Sequence, residues 1–289
     1  MEKVLKRKSR RKKILKQLAI HLLLIFLSVF FLIPFVYMLS VSFMTDAESL
    51  GNPVIVFFPH EGIKFENYEG VFDASLINSL KNSLVIIAIN LVFVPFSALL
   101  CAFGFTRCKF RGKDQVFAVV LATIMLPSVA IQIPLYVLYV KLHWINTILP
   151  LTIPAACGGG AMNIFLARQF MRSIPKSYDE AAVIDGASKF KIFTSIYLPL
   201  SKPIAIFIMI GVFNGTWNDF MSPLMYLRSE ESYTLALDIF YRYSGSLSEG
   251  RFPNNQMATG IMMLIPAAII FFIFQKQLID GVNIGGIKG

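Results

Sequence analysis

Six stretches of this chain, roughly 18–44, 83–106, 115–140, 146–170, 203–227 and 257–275, are each predominantly apolar. A helix needs about 20 such residues to cross the hydrocarbon core of a bilayer. Inside that core no water is present to satisfy backbone N–H and C=O groups, so segments of this kind fold as helices. Composition agrees: 56% of the residues are hydrophobic and 15% are charged, against about a quarter charged in an average soluble chain. The fold class these runs predict is an all-α, polytopic membrane protein with six transmembrane helices.

Two of the six runs are punctuated. Span 3 contains "LPSVAIQIPLY" and span 4 contains "LPLTIPAACGGG". Their prolines and glycines predict kinked or loosened helices, and the glycines of span 4 equally suit close helix packing. The N-terminal "MEKVLKRKSRRKKILKQ" followed by an apolar run imitates a secretory signal. That run is much longer than the 7–15 residues, or about that, of a signal core, and no small-x-small site ends it. It reads as a retained first span behind a polybasic segment, 1–17, held at an anionic leaflet. Cys101, Cys108 and Cys157 have neither CxxC nor Cys/His ligand spacing, so no disulfide framework or zinc site is implied. His21 and His143 lack partners at useful spacing and receive no function.

Lys and Arg set the orientation. The N-terminal run, the turn after span 2 (Arg107, Lys109, Arg111, Lys113), the stretch from Arg168 to Lys202 and the C-terminal tail together hold 21 of the 27. The loop 45–82 instead carries Asp46, Glu48, Glu61, Glu66, Glu69 and Asp73 against Lys64 and Lys81. The net charge of +10 is therefore a topological signal and not a nucleic-acid footprint. Both termini, the loop 171–202 and the tail 276–289 are expected to be cytoplasmic, with the loops 45–82 and 228–256 external.

Between spans 4 and 5 stands "SYDEAAVIDGASKFKIFTSIYLPLSKP", Ser177 to Pro203. Ser177 followed by Glu180 reads as a capping box, and Asp179 and Glu180 sit where the helix dipole favours negative charge. Gly186 predicts a left-handed C-cap, and Ser188 a fresh start. Leu198-Pro199 predicts the end of the second helix. Ala181 and Ala182 would leave one helix face smooth, suited to the groove of another protein. An ordinary amphipathic loop resting on headgroups fits the same pattern.

The residues Glu180, Ala181, Ala182, Gly186, Ile196, Leu198 and Pro199, in this spacing, resemble the EAA loop of ABC importer permeases. "RQFMRSIPKSYDEAAVIDGASKFKIF", "NGTWNDFMSPLMYL" and "GVNIGGIKG" are similar to the carbohydrate-uptake branch, the maltose-permease-G-like subunits. The resemblance spans nearly the whole chain. It implies the type I importer fold with a cytoplasmic coupling helix, in a single permease domain from 18 to 289 within a bacterial plasma membrane. It further implies a second homologous permease, two copies of an ABC ATPase, an extracytoplasmic solute-binding protein and a sugar substrate, with lipid around the spans. The coupling residues it implies are the seven above together with Asp185.

The chain has no GxxxxGK[ST], so ATP and magnesium would be held by the partner ATPase and no cofactor by this chain. The resemblance implies that ATP-driven closure of the ATPase pushes the coupling helices and rocks the spans between two states, as a two-state lever requires. Within the bilayer, Asp219 stands beside Asn214, Trp217 and Asn218. These would line a sugar path by stacking and hydrogen bonding, or serve as interhelical hydrogen bonds and an interfacial tryptophan. In the loop 228–256, Tyr233, Phe240, Tyr241, Tyr243 and Ser244 would meet the binding protein, or cap the bundle.

The spans show no convergent arginines of the kind a phosphorylated solute would want. That favours a neutral sugar over a glycerol phosphate ester, another importer substrate being a polyamine. A secondary transporter would need inverted repeats and paired intramembrane carboxylates, and a membrane enzyme a motif such as HExxH. None is visible.

Overall fold

In a computed structural model of the chain, which describes residues 2–51, 57–71, 73–244 and 252–285, every regular element is helical. Four helices are long and apolar enough to cross a membrane, and six spans result when each of two bent helix pairs counts as one. The contacts divide the chain into two units.

The first unit comprises Met1–Phe72 and Glu249–Leu264. Helix α1 (Glu2–Ser42) carries the basic segment straight into the first span, without a break between them. Its apolar side chains, among them Phe26, Phe30 and Leu32, are exposed, as lipid-facing residues are. Two short helices follow, α2 (Asp46–Gly51) and α3 (Glu66–Glu69). The end of α1 leaves carbonyls without helical partners, and side-chain amides supply them. Asn67 Nδ2 donates to Ser42 O and Met44 O, both at 2.9 Å. The fully buried Asn254 donates to Met44 O at 3.0 Å and Asp46 Oδ1 at 2.9 Å.

The second unit comprises Asp73–Ser248 and Ile265–Gly289. Helix α4 (Ala74–Arg107) is its axis, starting nine residues before the apolar run it contains because Asp73 caps it, accepting from Leu76 N at 2.8 Å. Span 3 is α5 (Lys113–Ala122), a 3₁₀ turn (Thr123–Met125) and α6 (Ser128–Lys141), bent by 102° at Leu126-Pro127. Pro127 lacks the N–H a continuous helix would use there. Span 4 is α7 (Leu149–Ala156) and α8 (Ala161–Arg172), separated by three glycines that all have positive φ.

Gly159 shows why the glycines are needed. A Cβ there would lie 2.5 Å from Ala98 Cβ and 2.6 Å from Val94 O of α4. Both readings of the glycines therefore hold: they interrupt the helix and let it touch its neighbour.

After α8 come α9 (Ser177–Ile184), α10 (Lys189–Ile192), a π-turn (Phe193–Tyr197) and α11 (Leu198–Leu200). Span 5 begins with α12 (Lys202–Trp217), bent 76° from the preceding stretch, and closes with α13 (Met221–Tyr226). A 3₁₀ turn (Glu230–Ser232) and α14 (Leu235–Ser244) follow. Helix α15 (Pro253–Gly285) supplies span 6 and much of the tail; residues 286–289, the end of "GVNIGGIKG", lie outside the described residues.

Candidate functional site

The hairpin from Ser177 to Leu200 departs from its predicted caps at both ends. Helix α9 does not use Ser177 as N-cap. Lys176, already in helical geometry (φ −70°, ψ −19°), occupies that place, and no side chain caps the helix. A capping box needs an extended residue at the cap; Ser177 is inside the first turn, so its hydroxyl cannot reach forward.

The other end of α9 closes as predicted. Gly186 has φ +75°, its N–H donates to Val183 O at 3.0 Å, and Ala187 N–H donates to Ala182 O at 2.9 Å. This is a complete Schellman pair. Ser188 then caps α10, accepting from Lys191 N at 3.2 Å.

The second helix does not stop at Leu198-Pro199. It runs through to Leu200 and breaks at Ser201. The π-turn is the reason: its wider spacing, closed by Leu198 N to Phe193 O, absorbs the bond Pro199 cannot donate.

The two alanines also divide. Ala182 is buried in the core while Ala181 is exposed, so they do not share one smooth outer face. Exposed instead are Glu180, Asp185, Val183, Phe190 and Ile184, the last 86% accessible. Ile196 and Leu198 are half-buried and Pro199 is exposed. The hairpin thus offers a surface of apolar, acidic and basic side chains, Lys189 and Lys191 among the last.

What anchors it is Arg107, the last residue of α4, whose side chain is 5% exposed. Its guanidinium donates to Met171 O at 3.0 Å and to Ile174 O, tying down the end of α8. It also lies 3.6 Å from Asp179 in the first turn of α9, and over the ring of Tyr197. Tyr197 is fully buried among Phe193, Phe103 and Ile192. Its hydroxyl and Asp179 Oδ1 are both buried beside the Arg107 guanidinium. In the sequence Arg107 counts only as a topological charge. Its position as the last residue of an apolar run was the visible signal, but nothing local named its partners, 64 to 90 residues away.

A second feature lies within the spans. A cavity of about 360 Å³ is walled by α4, α6, α7, α12 and α13. Its polar lining includes Asn90, Gln132, Thr216 and Asp219, with Tyr139 and Tyr226 as aromatic surface, and no Lys or Arg. Asn90 is 4% exposed; its amide nitrogen donates to Leu151 O at 3.1 Å, while Oδ1 has no partner among the described residues. Asp219 accepts from Ser222 N at 3.0 Å, fixing the start of α13.

Of the four residues suggested for a path, only Asp219 lines this cavity. Trp217 is buried, stacked on Phe213 with ring centres 5.7 Å apart. Asn214 and Asn218 are exposed, joined by a bond from Asn218 Nδ2 to Asn214 O. Asn90, in "VIIAINLVFV", was legible as an amide in mid-span but carries no charge to draw attention.

The third feature is α14. Tyr233 stacks on Tyr241 at 5.2 Å, and Phe240 packs on Phe220 at 5.0 Å. Tyr243 is half-buried, and the side chain of Ser244 lies outside the described residues. The helix is pinned by the buried Arg242, bidentate to Asp73 at 2.6 and 2.5 Å and bonded to Asp238 at 3.2 Å. Burial alone would lower the Arg242 pKa; the two carboxylates more than reverse this, and it is raised. The aromatic residues of the loop are therefore at least partly committed to packing.

Residues 95–283 match the family described as binding-protein-dependent transport system inner membrane component. The trehalose/maltose transport system permease protein MalG of Thermococcus litoralis is 30% identical over 285 residues, covering 96% of this chain and 99% of its own. The galactooligosaccharides transport system permease protein GanQ of Bacillus subtilis is 32% identical over 277 residues, covering 93% and 94%. Among solved structures, a bacterial ABC transporter involved in the import of the acidic polysaccharide alginate has a chain of the same fold. Its TM-score is 0.76 at 24% identity, covering 87% of this chain and 93% of that one. With a matched model across most of its length and relatives of this similarity over nearly all of it, the chain belongs to the family of binding-protein-dependent transport system inner membrane components.

Proposed function

We propose that this chain is one permease subunit of an ATP-driven sugar importer, with an oligosaccharide as its substrate. The observation that carries the reading is the hairpin Ser177–Leu200: a short helix closed by a full Schellman turn at Gly186, with acidic, basic and apolar side chains exposed around it. Exposed apolar surface at a rigid site marks a partner interface. The partner is a nucleotide-hydrolysing subunit present in two copies, holding ATP and magnesium. It receives Glu180, Ala181, Asp185 and their neighbours and moves the spans through Arg107.

Relatives that transport trehalose and maltose or galactooligosaccharides support the substrate class. So does the cavity, whose amides, hydroxyls and tyrosines suit a neutral polyhydroxylated solute and whose lining lacks a cation for a phosphate ester. A second permease completes the path. The solute-binding protein docks on the external side, where α14 and Tyr233, Phe240 and Tyr241 lie. Both termini are cytoplasmic, in a bacterial plasma membrane.

Purification of the tagged chain from its host membrane tests this. Recovery with a second polytopic subunit and an ATPase, and uptake of a labelled oligosaccharide by the reconstituted assembly, is the expected result. A chain that purifies alone and moves solute without ATP overturns it.

A further inference from the structure

The ends of α4 and α8 and the start of α5 enclose a pocket of about 370 Å³. Arg107, Lys113, Arg168, Arg172 and Lys176 line it, with Asp114 as its one acidic residue. Arg107 is held by Met171 O, Ile174 O and the Tyr197 ring, and Arg168 lies over the Phe117 ring at 3.9 Å, but Lys113, Arg172 and Lys176 are poorly compensated from within. Asp114 reaches Arg168 at 3.5 Å but is itself 83% exposed, so water screens that pair. Arg107 shares its charge with Asp179 at 3.6 Å. Arg172 and Lys176 form no side-chain hydrogen bond or ion pair among the described residues, and Lys113 makes only a long contact to Cys108 O at 3.4 Å. The Nε atoms of Arg107 and Arg168 are buried without a partner.

Helix dipoles do not explain the cluster. Arg168 and Arg172 end α8, where a cation is favoured, but they stand one turn apart on the same face and repel. Lys113 opens α5, the end that disfavours a cation, and no side chain caps that helix. Five cations from four segments around one space are explained by an anion that meets several of them at once. A tetrahedral phosphate has the oxygens to do so, and Arg is the side chain suited to it. Beside the pocket, Val116 and Val119 of α5 and Phe110 are exposed, leaving an apolar track along the span for acyl chains.

We infer that this pocket binds a phosphate-bearing anion, as the headgroup of an anionic phospholipid or as phosphate from solution. Because Arg107 also holds Asp179, and Lys176 precedes the first turn of α9, occupancy steadies the coupling hairpin. That consequence rests on the proposed function; the binding itself does not, and it is measured without transport.

The assembled complex is purified from membranes containing phosphatidylglycerol, and bound lipid is counted by native mass spectrometry. In parallel, thermal unfolding is followed in phosphatidylcholine with inorganic phosphate or with chloride at equal ionic strength. Lys113→Gln with Arg172→Gln is compared with wild type. Lys64→Gln with Lys81→Gln, in the loop 45–82, serves as a control for charge in general. Two cations removed at the pocket should weaken phosphatidylglycerol retention by roughly 25-fold, since each basic residue near a membrane counts for about fivefold. The control should lose much less. If lipid is not retained but phosphate raises the unfolding midpoint of wild type and not of the pocket variant, the anion is soluble and the site stands. Should the double variant fail to assemble, Arg172→Gln alone, at an exposed position, should lose about fivefold. Equal behaviour of wild type and pocket variants toward both anions, or equal loss in the control, overturns the inference.

Discussion

The guanidinium of Arg107 lies over the ring of Tyr197, 5.0 Å from its centre, although the two residues are separated by two spans of chain. One side chain at the end of α4 thereby holds the close of α8, the first turn of α9 and the π-turn that leads to span 5. Removing one partner of a buried charged cluster costs about 3–5 kcal/mol. Arg107→Ala should lower the unfolding midpoint of the assembled complex and uncouple ATP hydrolysis from transport. Arg107→Lys should recover little, because an ammonium has neither the fork for two carbonyls nor the planar face for the ring. Full rescue by lysine would show that only charge matters at this position.

Gly186 isolates the turn from the surface it displays. Its φ of +75° is a left-handed conformation, and no atom lies within 4 Å of where a Cβ would be. Gly186→Ala therefore costs only the backbone penalty, about 1–2 kcal/mol. Gly186→Asp adds a negative charge at the end of α9, where the dipole disfavours it by about 0.3–1 kcal/mol. Membrane insertion should remain normal while uptake is lost in the aspartate variant and reduced in the alanine one. Uptake assays on membrane fractions with equal amounts of chain measure this; normal coupled hydrolysis in Gly186→Asp would remove the hairpin from the mechanism.

What was legible follows from the range of the interactions involved. The apolar runs, the Gly186 turn and the Ser188 cap depend on residues within a few positions of one another, and each was readable. The capping box at Ser177 was misread because Lys176 had already turned helical, and the stop at Pro199 because a π-turn intervened. Both depend on how the hairpin is clamped from outside, by Arg107 and by the buried rings around Tyr197. Of the cavity's lining only Asp219 stands out in the sequence, since Asn90 and Gln132 come to it from helices 40 or more residues apart. Long-range placement of uncharged polar groups leaves no local pattern to read.

Gly159 and Gly158 separate packing from backbone strain. Both have positive φ, but a Cβ at Gly158 meets nothing within 4 Å whereas one at Gly159 would collide with Ala98 and Val94 of α4. Gly158→Ala, at φ +107°, should cost about 1–3 kcal/mol of backbone strain. Gly159→Ala should cost that and about 1–3 kcal/mol more for overpacking. Thermal unfolding of the two variants side by side gives the difference, and equal midpoints would mean that span 4 slides away from α4 at no expense.

Arg242 presents the same physics in α14, in a form that a mutant cycle can resolve. Its side chain is 7% exposed and faces Asp238, 9% exposed, and Asp73, 43% exposed. Arg242→Ala strands Asp238 in a buried place and should cost about 3–5 kcal/mol. Asp73→Asn keeps one oxygen to cap α4 but turns a donor toward Arg242 Nη1 where an acceptor stood, so about 1–3 kcal/mol is expected. Arg242→Met combined with Asp238→Leu removes both buried charges and should recover most of the loss of the single variant, since apolar side chains of similar size replace buried ion pairs without penalty. Limited proteolysis within 228–256 reports whether α14 stays docked, and thermal unfolding reports the energies. If the double variant is as damaged as Arg242→Ala, the arginine acts through contacts other than its carboxylates. If binding-protein-stimulated hydrolysis falls in the double variant while α14 remains docked, the charges themselves serve recognition and not only support.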